Sequence, residues 1–374
     1  MSLPSPRLES LPNELLGEII LNLSTDPPST SRLHESPSLG ITESQTRDLK
    51  HLSYTSSRFH QLVRPLLFRH ARFNLEDLDE FLSFIKQSGL SRHVKSIVVI
   101  GSDTDAGRRD AFWWHRVLSE LDPLRITIVA TPLLLGDLAT TRVTEAHSWA
   151  FDIPLQILHL EQDISVHDRF AVSPELTGRE SLFRARPWAS FFFNESSFLR
   201  AYNHYEYFLL RVPSLFEKWG AMTSARLRTG DLPDPLPSLS RLTSFRYTAV
   251  FPFYNHVRLV LNAVEMMTNL RSLSVQLAPC RNDKILEEEQ RGSMDPNDPW
   301  MEILTGYSLI AHSVMLLGQT GNLERFQACD YELDALQSDL AALAGDVLAD
   351  SGWIHDGHGT WTIAKVKGTP VGQN

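Results

Sequence analysis

The sequence has 374 residues, of which 42% are hydrophobic and 21% charged, as in folded soluble proteins of two or three domains. Its formal net charge of −10 argues against a nucleic-acid-binding protein, and its two cysteines, Cys280 and Cys329, exclude a disulfide framework or a multi-cysteine zinc module. We expect an intracellular protein of the cytoplasm or the nucleus with no membrane partner, because no apolar run approaches the ~20 residues of a membrane helix and no secretory signal is visible.

The first predicted element is a short amphipathic helix that begins near Pro12. Proline suits the first helical position, where its missing N–H costs nothing, and Glu14 favours the positive end of the helix dipole. The apolar residues that follow are Leu15, Leu16, Ile19, Ile20 and Leu23. They form a wide apolar face on a helix of about three turns, which is marginally stable alone. This face must therefore be buried against something.

Residues 24–45 have a different composition from the helix before them. Serine, threonine and proline dominate, and no apolar period survives. Such a segment offers too little apolar area to offset the ordering of its backbone. The sequence therefore predicts a flexible insertion that is dispensable for folding.

Two more short helices are predicted after this insertion. Leu49 and Leu52 mark the first of them. The apolar residues of the second are Phe59, Leu62, Val63, Leu66 and Leu67. Ser56 or Ser57 is a candidate N-cap between the two helices, and Pro65 predicts a kink or an end near the last turn of the second.

A six-residue template, L-x-x-h-x-h with h apolar, recurs after residue 72. The matches are residues 94–99, 121–126, 155–160, 242–247, 270–275 and 323–328. Several intervals between matches fit one strand plus one helix. Amphipathic helical stretches lie between the matches, for example the stripe of Ile303, Tyr307, Ile310 and Val314. The pattern predicts an α/β fold in which parallel strands carry helices on the outer side of a curved solenoid.

Two stretches resemble a known family. The first is Leu11-Pro12-x-Glu14-Leu15-Leu16-x-x-Ile19-Ile20-x-x-Leu23, followed by Asp48-Leu49-x-x-Leu52-Ser53 and Ser56-x-x-Phe59-x-x-Leu62. Over residues 8–72 this order resembles the F-box, interrupted by the insertion at 24–45. Residues 187–215 resemble a segment of fungal F-box proteins with degenerate leucine-rich-repeat tails. The resemblance implies a three-helix F-box followed by an irregular leucine-rich-repeat-like domain over residues 73–374.

The resemblance also implies a binding function. An F-box binds a Skp-type adaptor, and through it a cullin, in an SCF-type E3 ubiquitin ligase, while the C-terminal domain recruits an unknown protein substrate. The adaptor-binding residues that it implies are Leu11, Pro12, Glu14, Leu15, Leu16, Ile19, Ile20, Leu23, Leu49, Leu52 and Leu62. Three short helices cannot bury all these side chains among themselves, which favours a partner. In the alternative, they dock on residues 73–100 of the same chain.

The outward positions of the strand template are candidates for target binding. In a strand these side chains alternate with the core residues and point away from them. The candidates are His159, Arg246, Ser274 and Gln327, with Arg271 and Arg325 nearby. This polar row carries several positive groups on an acidic protein, which favours an acidic or polar partner segment. A merely solvated strand face is an equally open interpretation.

No motif points to an enzyme. The sequence has no G-x-S-x-G elbow, Walker A loop, G-x-G-x-x-G or H-E-x-x-H. His355-Asp356-Gly357-His358 could hold a metal, but a turn between strands is the commoner use of such a stretch. We therefore expect no catalysis, no cofactor and no metal. Two alternatives stay open: an F-box protein that acts outside an SCF complex, and an enzyme whose site is assembled from strand ends.

Overall fold

The computed structural model describes residues 8–23, 28–42, 46–101, 112–164, 181–229, 239–280, 283–289 and 294–363. The α-helices are α1 (Asn13–Leu21), α2 (Pro28–Ser31), α3 (Arg47–Ser53), α4 (Ser57–Leu67), α5 (Leu78–Gln87), α6 (Trp113–Glu120), α7 (Pro132–Leu138), α8 (Ser148–Phe151), α9 (Leu215–Thr229), α10 (Tyr254–Val264), α11 (Ile285–Glu289), α12 (Asp298–Thr320) and α13 (Asp334–Leu348). Short 3-10 turns occupy Leu8–Ser10, Leu39–Thr42, Leu75–Asp77, Leu182–Arg184, Leu199–Asn203, Tyr207–Leu209, Leu239–Arg241 and Ala349–Ser351.

The strands are β1 (His70–Asn74), β2 (Ser96–Ile100), β3 (Arg125–Ala130), β4 (Gln156–Gln162), β5 (Trp188–Ser197), β6 (Ser244–Val250), β7 (Ser272–Gln276), β8 (Arg325–Ala328), β9 (Trp353–His355) and β10 (Thr360–Ile363). They form one ten-stranded, mostly parallel sheet in nearly sequential order, β1 to β8 followed by β10 and β9. The α/β class is confirmed, and each of the six template matches contains or overlaps a strand. β1 crosses the predicted domain boundary at residues 72 and 73.

The three N-terminal helices are confirmed as α1, α3 and α4, and they share a small core of their own. That core consists of Leu16, Ile20, Leu49, Phe59 and Val63. Ser56 caps α4, where the backbone N–H of Phe59 donates to Ser56 Oγ at 3.3 Å. Arg58 of α4 donates to the Asn13 side chain at 3.0 Å and to the Leu11 carbonyl at 2.8 Å. These bonds join α4 to the start of α1.

The strand directions differ from the prediction at β4, which is antiparallel to both β3 and β5. A parallel neighbour requires a connection that returns along the whole length of the strand. Between β3 and β4 the chain forms two short helices, α7 of seven residues and α8 of four, and it enters β4 from the edge of the sheet at which it left β3.

The main core lies between the sheet and the helices on one of its faces. Strand residues that point into this core include Ile126, Leu158, Phe191, Phe193, Phe245, Tyr247, Leu273 and Phe326. α12 is long and apolar enough to cross a membrane by length and composition. A core helix passes the same test, and Ile303, Tyr307, Ile310 and Val314 of α12 are buried in this core.

The other face of the sheet, called here the polar face, carries the intervening side chains. Part of it is covered by residues 28–42, which we call the strap. Leu33 and Ile41 of the strap are buried against Val98, Val129 and Phe192. The expectation of a flexible insertion is therefore not met over residues 28–42, because two apolar side chains in this polar segment anchor it. Residues 24–27 and 43–45 lie outside the described residues.

Candidate interaction surfaces

α1 has a buried apolar side and an exposed apolar side. Leu16 and Ile20 are buried in the N-terminal core, whereas Leu15 is 52% exposed, Ile19 42% and Leu23 39%. Leu15 and Ile19 are spaced by four and share one face of α1, and exposed Leu23 follows in the turn just beyond its last residue, Leu21. We call Leu15, Ile19 and Leu23 the α1 surface. An exposed apolar stripe on a short helix is typical of a surface that a partner covers.

The structure separates the eleven residues expected to bind an adaptor into three groups. Pro12, Glu14, Leu15, Ile19 and Leu23 are exposed, Leu11, Leu52 and Leu62 are half-buried, and Leu16, Ile20 and Leu49 are buried. The buried residues support the α1 surface from below and are not themselves accessible. Adjacent apolar pairs on a helix span too wide an arc for one neighbouring helix to cover. Leu15 and Ile19 are also not docked on residues 73–100, because both are exposed.

Four of the expected target-binding residues lie in one row of the polar face. In the strand register, His159 is opposite Phe192, Phe192 opposite Arg246, Arg246 opposite Ser274, and Ser274 opposite Gln327. Arg325 lies one row away, opposite Ser272, and Arg271 directly precedes β7. The predicted alternation of the strand template therefore brings His159, Arg246, Ser274, Gln327 and Arg325 to one face.

His159 is nevertheless inaccessible, which corrects its place among the target-binding candidates. It is 4% exposed and its Nδ1 is 2.7 Å from Thr127 Oγ1. Its neighbours in the row, Thr127 and Phe192, are buried as well. His159, whose Nε2 lies 3.9 Å from Glu161 Oε2, and the ion pair of Glu161 with Arg125 at 2.6 Å hold the pKa of Glu161 below its usual range. His159 thus belongs to a structural network in the centre of the sheet.

Arg246 is the most distinctive group of the accessible part of this row. Its guanidinium lies 5.4 Å from the centroid of the Phe192 ring, a cation–π distance. Its Nε is buried and has no hydrogen-bond partner among the described residues. Ser274 and Gln327 beside it are half-buried, and Arg271 and Arg325 are exposed. This part of the polar face could therefore accept an anionic group.

The strap narrows the polar face next to Arg246. Asn194 Nδ2 donates to the carbonyls of Leu33 and Glu35, both at 2.9 Å, and Ser36 Oγ donates to Asp283 Oδ2 at 2.6 Å. Burial, together with the charge of Arg246, lowers the pKa of His34. The sequence hardly predicts that the strap packs on the sheet, because only Leu33 and Ile41 of this polar segment are apolar and buried there.

A buried cluster of hydrogen-bonded side chains surrounds the carboxylate of Glu195. Glu195 accepts hydrogen bonds from Ser214 Oγ, Tyr247 OH and His256 Nε2, the last at 2.8 Å. Burial lowers the pKa of His256, but the carboxylates of Glu195 and Glu217 outweigh it and raise the pKa to about 9. Ser214, Glu195, Tyr247 and His256 bond to one another and are all at most 1% exposed, so these groups are not accessible to a substrate. This cluster joins β5, β6, α9 and α10 inside the core.

A second buried carboxylate fixes the loop after β7. Asp330 Oδ2 accepts hydrogen bonds from Tyr307 OH at 2.5 Å, from Leu277 N at 2.6 Å and from Ala278 N at 3.1 Å. Burial raises the pKa of Asp330 to about 6, against the opposing effect of these hydrogen bonds. The carboxylate of Asp330 therefore links Tyr307 of α12 to the backbone that follows β7.

The segment His355-Asp356-Gly357-His358 forms the turn between β9 and β10. These strands are antiparallel, and Asp356 Oδ1 accepts hydrogen bonds from the backbone N–H of His358 at 2.7 Å and of Thr360 at 3.0 Å. The imidazole of His355 stacks on Trp361 at 4.3 Å. In the part of the chain that the structure describes, no three His, Cys, Asp or Glu side chains are grouped closely enough to hold a metal ion.

No family model matches this sequence, and a comparison with curated proteins found no similar protein.

Proposed function

We propose that this protein is the substrate-recruiting subunit of an SCF-type E3 ubiquitin ligase. In this proposal the N-terminal helices are an F-box that binds a Skp-type adaptor, and through it a cullin. The domain from residue 73 onward is a leucine-rich-repeat-like solenoid that presents a target protein for ubiquitylation. The observation that carries the proposal is the exposed apolar stripe of α1, formed by Leu15, Ile19 and Leu23.

The energetics of the α1 surface are consistent with a helix-binding partner. Complete burial of an aliphatic side chain contributes about 1.5–3 kcal/mol. Because Leu15 and Ile19 are each roughly half exposed, a partner that covered them would gain on the order of 1 kcal/mol from each. The core beneath them, formed around Leu16 and Ile20, holds the stripe in place before binding, which lowers the entropic cost of association.

The sheet supports the second half of the proposal. Its strands follow one another in nearly sequential order, and adjacent β5 to β8 are parallel, as expected for stacked strand–helix units. The reversal at β4 is a departure from a regular repeat. A repeat-like sheet gives a protein long surfaces for binding another macromolecule.

The test is binding of the full chain to a purified fungal Skp-type adaptor. We expect Leu15→Ala/Ile19→Ala to weaken binding at least tenfold while the melting temperature stays nearly unchanged, since both side chains are exposed. The matched control is Leu316→Ala/Ile354→Ala, which removes one exposed leucine and one exposed isoleucine from other parts of the chain. Equal affinity of both double variants for the adaptor would refute the proposed interface.

Ubiquitin-ligase assembly is tested separately in cells. The wild-type chain is expected to co-purify with a cullin, and the Leu15→Ala/Ile19→Ala variant is not. Adaptor binding without cullin would instead favour an F-box protein that acts outside an SCF complex.

A further inference from the structure

A second exposed apolar surface lies near the ends of β5 and β6. Its side chains are Trp149, Tyr205, Phe208, Leu209 and Tyr254, which we call the aromatic surface. Tyr205 is 94% exposed, Trp149 64% and Leu209 60%. Isolated exposed apolar residues need no explanation, but five of them on adjoining segments form a patch of the kind that proteins use for binding.

Specific contacts hold these segments together. The ring of Trp149 meets His204 edge-on at 4.7 Å, and Asn255 Nδ2 donates to the Phe208 carbonyl at 2.8 Å. Beneath the patch, the ring of Tyr207 packs on Tyr202 at 4.6 Å. The aromatic surface is therefore built on a packed base, which favours binding without a large ordering cost.

The surroundings of the aromatic surface are predominantly acidic. Burial, together with the nearby carboxylates of Glu302, Asp298 and Asp295, raises the pKa of Tyr207 to about 12. Glu302 also accepts a hydrogen bond from the backbone N–H of Tyr254 at 2.6 Å. Glu302 is thus fixed beside Tyr254, and Asp295 is exposed and Asp298 half-buried in the same α12 region.

Positive side chains around the aromatic surface are fewer than the acidic ones. Arg200 is paired with Asp152 and, at 3.6 Å, with Glu289. Two exposed arginines lie close in sequence to residues of the patch: Arg211 follows Leu209 by two residues, and Arg258 follows Tyr254 by four. Four acidic side chains, Glu206, Asp295, Asp298 and Glu302, therefore outnumber these two arginines.

We propose that the aromatic surface binds a basic segment of a partner protein. Lysine or arginine side chains of that segment would lie over the rings of Trp149 and Tyr254, an arrangement that cation–π attraction favours. Asp295 and Asp298 would supply the opposite charge. Binding to this surface does not require the adaptor; if the proposed function holds, this segment belongs to the target protein.

The aromatic surface differs from the polar face in its accessibility to a partner and in the sign of its charge. The strap covers part of the polar face, and His159 in its central row is buried. The accessible remainder carries Arg246, Arg271 and Arg325 and would select an acidic segment. The two surfaces therefore predict partners of opposite charge, so one experiment can separate them.

The experiment is selection of a displayed random 16-residue peptide library on the full-length chain in the absence of adaptor. We expect the enriched peptides to be rich in lysine or arginine and to carry apolar residues. Their affinity should fall at least tenfold in Asp295→Asn/Asp298→Asn and in Phe208→Ala/Tyr254→Ala. Hydroxyl-radical footprinting with an enriched peptide should protect Tyr205 and Tyr254.

Two matched controls remove the same chemistry elsewhere. Asp339→Asn/Asp346→Asn neutralises two exposed carboxylates of α13, and Tyr54→Ala removes another highly exposed tyrosine. Both controls should bind the peptides as the wild type does. The proposal is overturned if no peptide is enriched, if the enriched peptides are acidic and depend on Arg246, or if the controls weaken binding as much as the surface variants. None of these outcomes depends on whether the adaptor binds.

Discussion

Removing the two apolar anchors of the strap should destabilise the protein. Leu33 is 5% exposed and Ile41 is 1% exposed, both against the polar face. Each substitution by alanine removes about three methylene-sized groups, and ~0.8 kcal/mol per group gives about 2.4 kcal/mol per site. The double variant Leu33→Ala/Ile41→Ala should therefore lose about 5 kcal/mol before any cavity term. The loss is smaller if the strap detaches locally before the rest unfolds.

The assay is equilibrium unfolding in urea, combined with hydrogen exchange of the strap amides. Leu39→Ala is the matched control, because Leu39 lies in the same segment and is 51% exposed. We expect the control to change the free energy of unfolding by less than about 0.5 kcal/mol. If Leu33→Ala/Ile41→Ala unfolded at the same urea concentration and exchanged at the same rate as the control, the strap would not be a packed element.

Three further predictions concern the N-terminal core, the turn between β9 and β10, and the buried histidine of the Glu195 cluster. Leu16→Ala should cost about 2–5 kcal/mol of unfolding free energy in urea, because Leu16 is fully buried. Gly359→Ala should lower the melting temperature more than Gly357→Ala: both glycines have positive φ, but a Cβ at Gly359 would lie 2.8 Å from a backbone carbonyl oxygen, whereas Gly357 faces open space. The raised pKa of His256, about 9 when folded, stabilises the protein below pH 6.5, and this contribution should disappear as the pH rises through 9. Glu195→Gln should reduce this pH dependence of the measured stability, because Glu217 alone then remains to raise the pKa of His256.

The strand template explains both the success and the gaps of the sequence analysis. The template located six strands because its first position, an apolar residue three positions before the first side chain that points into the core, is easy to recognise in a sequence. It missed β5, where Trp188 occupies the position that Leu242 has in the neighbouring strand, three residues before the paired Phe191 and Phe245. An aromatic ring fills this position as well as a leucine does, so a search limited to aliphatic residues overlooks it.

The strand direction at β4 and the packing of the strap were harder to predict for a different reason. The 25 residues that join β3 to antiparallel β4 are about as many as the 24 that join β2 to parallel β3, so the length of the connection does not indicate the strand direction. The strap depends on Leu33 and Ile41, whose partners Val98, Val129 and Phe192 are distant in sequence. Local composition describes the segment correctly as polar but contains no information about these long-range contacts.

The division of α1 follows from helix geometry once its neighbours are known. The pairs Leu15–Leu16 and Ile19–Ile20 cover an arc too wide for α3 and α4 to enclose, so one member of each pair has to remain exposed. Which member is buried depends on how α4 approaches, and Arg58 sets this approach by bonding to Asn13 and to the Leu11 carbonyl. The sequence predicts that an exposed stripe exists, and only the structure identifies its residues.

The strap has a consequence for how two partners could be held by this protein. The N-terminal helices are attached to the sheet domain in two ways. First, α4 leads directly into β1, and its Arg64 Nη2 donates to Ser88 Oγ, at the end of α5, at 2.7 Å. Second, the strap between α1 and α3 is anchored on the polar face. Because only residues 22–27 and 43–46 separate the strap from α1 and α3, its anchoring limits how far these helices can move from the sheet. A partner on the α1 surface and a partner on the sheet domain would then be held at a defined separation, which raises the effective concentration of one near the other. Under the proposed function, the strap therefore contributes to the geometry of ubiquitin transfer as well as to stability.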